Sequence, residues 1–109
     1  MRKLDKVEKC IQKGKEKDLI KLADDREKEV QLAAIAGMGQ IGKDDSFNTL
    51  IAMLQAEDVE IRIAVITALG QLNNRHAETY LRHLLERENN DAIKKALLDA
   101  LDVLRKEGR

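Results

Sequence analysis

The chain has 109 residues, room for one domain and not two; 37% of them are charged, aromatics make up 2%, and Pro and Trp are absent. That balance excludes an all-β fold, whose strands draw on aromatic and β-branched residues and whose turns draw on Pro. Twenty basic and twenty acidic side chains cancel, which removes the electrostatic argument for a nucleic-acid or membrane-surface partner.

Read from the N-terminus, MRKLDKVEKC carries a charge every second or third residue. It has no apolar core segment, so it is not a secretory signal. The lone Cys10 excludes an intrachain disulfide and suits a reducing compartment. No apolar run approaches the ~20 residues that span a bilayer. Together these readings predict a cytoplasmic protein. Apolar residues at three- and four-residue steps predict helices over 2–13, 16–24, 27–41, 46–56, 59–73, 76–88 and 91–106. The breaks between them fall at Gly14, at Gly42 and at Asn73-Asn74, with Asp44, Asp45 or Ser46 available to cap the helix that follows Gly42. The acidic pairs Asp24-Asp25, Asp44-Asp45 and Glu57-Asp58 also sit at such boundaries, where they favour helix N-termini rather than acid–base chemistry.

The segments repeat. VQLAAIAGMGQIG (Val30 to Gly42) superimposes on IRIAVITALGQLN (Ile61 to Asn73) at an offset of 31 residues, and IKKALLDALDVL (Ile93 to Leu104) follows at a further 32. The second helices align too, with Leu19, Leu50 and Leu81 in one column and Leu22, Met53 and Leu84 in another. A period of this length is the mark of a stacked helical solenoid. It also settles the stretch GMGQIG, whose Gly37, Gly39 and Gly42 match the spacing of a dinucleotide-binding loop. Such a loop needs a strand before its first glycine. The preceding VQLAAIA is helical in period, and the cognate ALGQLN keeps only one of the three glycines. Gly39 and Gly70 therefore read as places where a neighbouring helix approaches closely. No cofactor and no catalytic group is expected.

VQLAAIAGMGQIG and IRIAVITALGQLN, each followed by an apolar second helix (LIAML, LRHLL), resemble the HEAT-repeat family. The resemblance is greatest to its short bacterial and archaeal type related to phycobilisome-lyase repeats. It covers Lys28 to Glu88 and, as half a repeat, Asp91 to Leu104. Gln31 stands where the family usually has Arg, although Arg62 and Lys94 keep a cation, and Asp102 replaces the glycine of positions 39 and 70. The resemblance implies a right-handed α-solenoid of antiparallel helix pairs whose second helices line a concave surface, and a binding role rather than catalysis. On this pattern the single domain divides into an N-terminal capping pair (1–25), repeats over 26–57 and 58–89, and a C-terminal capping helix (90–109). Arg2 and Lys6 at one end, and Lys95, Asp99 and Asp102 at the other, replace small or apolar residues of the inner copies. Polar outer faces of this kind suit a self-contained stack. Leu98 is the exception, aligning with Ile35 and Ile66, and gives a monomer at most a weak edge for self-association.

Aligning the second helices gives columns of residues for a protein or peptide partner: Ile20, Lys21, Asn48, Ile51, Ala52, Gln55, Tyr80, Arg82, His83 and Glu86. Ile20, Ile51 and Ala52 form a solvent-facing apolar strip, or else Ile20 and Ile51 belong to the interhelix core, since one sequence does not fix helix rotation. Tyr80 is either an interface anchor or a half-buried ring with a wet hydroxyl. His76 and His83 are seven residues apart, ~10 Å along a helix, too far to share one metal ion unaided. Cys10 aligns with Ile41 and Leu72 and reads as a small buried hydrophobe. Two alternatives stay open: a subunit related to bilin lyases, and nucleic-acid binding through Lys13, Lys15, Lys17 and Lys21.

Overall fold

The computed structural model describes residues 1–107. These residues form seven α-helices and no strand: α1 (Lys3–Lys13), α2 (Glu16–Leu22), α3 (Lys28–Ile41), α4 (Asp44–Met53), α5 (Val59–Gln71), α6 (His76–Arg87) and α7 (Asp91–Glu107). The last two positions of the expected C-terminal capping segment lie outside the described residues. Two helices are shorter or shifted relative to expectation, α2 ending at Leu22 and α4 running from Asp44 to Met53. The backbone past each still makes turn-like bonds, Ala23 N–H to Leu19 O and Ala56 N–H to Met53 O.

The odd-numbered helices form one layer in sequence order, α1 against α3, α3 against α5 and α5 against α7. The even-numbered helices form a second layer, α4 and α6 packing more on the odd helix that follows than on the one before. The Cα trace measures 42 × 30 × 17 Å, a slab two helices thick.

Repeat positions share their environments. Leu19, Leu50 and Leu81 are fully buried, as are Ile35 and Ile66 in the odd layer. Taking each such side chain out of water stabilises the fold by about 1.5–3 kcal/mol. Their equivalents at the two ends differ: Leu4 in α1 is 42% exposed and Leu98 in α7 is 56% exposed.

Glycine sets the spacing of the odd layer. A Cβ on Gly39 would lie 3.0 Å from Ala68 Cα, and one on Gly70 would lie 3.1 Å from Ala100 Cα. A side chain at either position would push neighbouring backbones apart, so the close approach expected from GMGQIG and ALGQLN is what these glycines serve.

The helix ends follow two kinds of cap. Gly14 closes α1 in the left-handed region at φ 66, and Asn73 takes the same region after α5 at φ 56, which an amide side chain tolerates. Gly42 departs from expectation: its backbone is extended, and it is glycine because a Cβ would strike the Met38 carbonyl and Ser46. Asp58 Oδ1 accepts from Ile61 N–H at 3.1 Å to cap α5, Asn90 Oδ1 accepts from Ile93 N–H at 3.0 Å to cap α7, and Asp25 accepts from Glu27 N–H at 3.0 Å just ahead of α3.

The expected cap of α4 by Asp44, Asp45 or Ser46 is replaced by a distant one. Asp44 and Asp45 lie inside the first turn, and the carboxylate of Glu16 in α2 accepts from Lys43 N–H at 2.7 Å and Ser46 N–H at 3.0 Å. Partial burial pushes the Glu16 carboxyl up, but the N–H groups of Lys43 and Ser46, together with the nearby Ser46 hydroxyl and Lys43 ammonium, hold the group below its ordinary value. One glutamate thus staples the N-terminus of α4 to α2.

Candidate functional site

The even layer is uneven, and that leaves a concavity in it. α2 packs on α4, whereas α4 and α6 barely meet. The position equivalent to Glu16 in the next copy is Phe47, which has no carboxylate to reach the start of α6. Instead α6 begins on a local bond, His76 N–H to Asn74 Oδ1 at 2.9 Å. With no cross-helix staple, α4 and α6 stand apart over a cleft of about 600 Å³.

Ile51 and Leu54 from α4 and its end, with Leu84 from α6, give the cleft apolar walls; Gln55, Thr79, Tyr80, Arg82, His83 and Glu86 supply its polar rim. Tyr80 is 50% exposed, an amphipathic ring at the edge. Arg82 leans toward Glu78 on its own helix at 3.7 Å, an exposed contact that leaves the guanidinium available to a ligand.

Six of the ten residues anticipated from the sequence therefore meet here: Ile51, Gln55, Tyr80, Arg82, His83 and Glu86. The other four do not. Ile20, like Ile51, is half-buried and packs on the core, while Asn48 and Ala52 are exposed; none of Ile20, Asn48 and Ala52 lines the cleft. Lys21 faces a different groove, between α1 and α2. Leu54, Thr79 and Leu84 were not anticipated as lining residues. Thr79 is the repeat equivalent of Asn48, 31 residues on, and nothing in the sequence announces that α4 and α6 separate and leave the two leucines lining a cleft.

The remaining candidates are dispersed. His76 is exposed at the first turn of α6, on the opposite end of that helix from the cleft's Glu86. Among the described residues no three His, Cys, Asp or Glu side chains come together as metal ligands would. Cys10 is 8% exposed in the core, with one edge on the α1–α2 groove. No helix of the described residues is long and apolar enough to cross a membrane.

Behind the cleft, Arg62 of α5 and Glu88 past α6 form a shielded pair at 2.7 Å. The N–H of Asn90 and then Arg62 hold the Glu88 carboxyl below its ordinary value despite partial burial. Gln31, at the position of Arg62, instead donates to Ala23 O at 3.2 Å, so the row of cations is broken.

Two layers of antiparallel helix pairs in which successive copies bury equivalent residues define an α-solenoid. The family model for HEAT repeats matches residues 16–102, and the chain belongs to that family. Searches of curated proteins and of solved structures gave no match.

Proposed function

We propose that the protein is a noncatalytic binding module that seats a peptide or helix of a protein partner in the α4–α6 cleft. The observation that carries this reading is the cleft itself: apolar walls of Ile51, Leu54 and Leu84 under a rim holding both charge signs and the half-exposed Tyr80. Apolar anchors enter such a groove, and rim groups fix register by hydrogen bonds. HEAT repeats commonly serve as protein-interaction scaffolds, which supports the same reading.

The test is site-specific crosslinking. A photoreactive residue replacing Gln55 should trap a protein partner from native extract, and the same residue replacing Ala36 on the odd layer should not. Ile51→Glu with Arg82→Glu should abolish trapping while helicity is retained, since neither side chain is fully buried. Equal trapping from position 36, or undiminished trapping by the double variant, would reject the cleft as the binding surface.

A further inference from the structure

A second groove lies at the opposite end of the stack, between α1 and α2, with a volume of about 390 Å³. Lys6, Lys9 and Lys13 edge it from α1 at three- and four-residue steps, and Lys15 and Lys21 complete the ring. Cys10 and Leu22 give it an apolar floor with the exposed Met1 at its edge, and Asp18 is the one acid among the described residues that lines it. All five lysines are exposed, and among the described residues none forms an ion pair. The far end of the stack is built otherwise. There Lys95 pairs with Asp99 at 3.0 Å, and Asp102 pairs with Arg105 at 2.7 Å and Lys106 at 3.1 Å, so the outer charges of α7 neutralise one another.

The repeat says what shape fits this groove. Lys6 and Lys9 occupy the positions of Ala68 and Gln71, the two residues that lie against Gly39 of the preceding odd helix. Lys21 and Leu22 occupy the positions of His83 and Leu84, which face α4 across the cleft. The surface is therefore the one on which each inner copy meets the helices before it, refitted with lysines.

We propose that the α1–α2 groove docks an acidic amphipathic helix of a partner protein, seated as a preceding repeat would be. Carboxylates spaced three and four residues apart along one side would pair with Lys6, Lys9 and Lys13, a row ~10 Å long. Apolar residues beside them would cover Cys10 and Leu22. A phosphate backbone fits less well: among the described residues the groove has no aromatic ring to stack a base and no arginine to grip a phosphate with two bonds.

The experiment titrates the ¹⁵N-labelled chain with a synthetic helical peptide carrying Glu at positions i, i+3 and i+7 beside Leu. A second arm uses the peptide with Gln in place of Glu, and a third a single-stranded oligodeoxynucleotide. Amide shifts should concentrate in residues 1–22, and the affinity should fall with added salt. It should also fall at least ~tenfold in the K6E/K9E/K13E variant, and by a smaller factor in K21E, with unchanged circular dichroism. Shifts confined to the α4–α6 cleft, equal binding of the Gln peptide, no binding, or tighter binding of the oligonucleotide would each overturn the proposal. The crosslinking test of the α4–α6 cleft is read at other positions, so failure of one reading leaves the other standing.

Discussion

Glu16 shows how a residue 27 positions away in sequence can do what a local cap was expected to do. Its folded-state carboxyl lies below the ordinary value of 4.5. The stability it contributes is therefore complete above that value and is lost as pH falls through the lower folded one. Glu16→Gln should cost about 1 kcal/mol at neutral pH, the magnitude of a lost N-cap, and should lose less than the parent on acidification. Urea unfolding on both sides of the transition measures both effects. Gly14 and Gly42 looked alike in sequence, each just past a helix, yet they are glycine for different reasons. Gly14→Ala strains a left-handed backbone with nothing nearby, whereas Gly42→Ala drives a methyl group into the Met38 carbonyl and Ser46. Thermal unfolding should show the larger drop for Gly42→Ala; the reverse order would mean that backbone conformation, not crowding, decides both sites.

The helices themselves were legible because each buries one side at a 3.6-residue period, as with Ile61, Val65, Ala68 and Leu69 in α5. Their rotation was not. Ile51 and Ile20, in the same aligned column, both pack partly on the core, and Ile51 also lines the α4–α6 cleft. Phe47 occupies the place of Glu16, so the carboxylate that ties α2 to the start of α4 has no counterpart between α4 and α6, a long-range difference that a local pattern does not carry. Between elements, the Arg62–Glu88 pair has side chains only 20% and 12% exposed, against 78% and 67% for Lys95–Asp99. Water screens the second pair and largely spares the first. Double-mutant cycles should give a larger coupling energy for Arg62–Glu88 than for Lys95–Asp99, and a smaller loss of it in high salt. Equal couplings would show that burial does not govern these pairs.

Across the whole molecule, one repeat position takes two roles. Ile35 and Ile66 are fully enclosed by neighbours on both sides, while Leu4 and Leu98 are enclosed on one side only. Ile66→Ala should therefore cost about 2–5 kcal/mol, and Leu98→Lys should change stability by no more than about 0.5 kcal/mol; denaturant midpoints at unchanged slope read both. The central claim is that the odd helices pile side by side in repeat register, each glycine receiving the next helix's alanine. Nuclear Overhauser spectroscopy on the folded chain tests it most directly. The account predicts cross-peaks from the Gly39 α-protons to the Ala68 methyl and from the Gly70 α-protons to the Ala100 methyl. Ala68 and Ala100 methyls that show no contact with those glycines, and contact other residues instead, would contradict it.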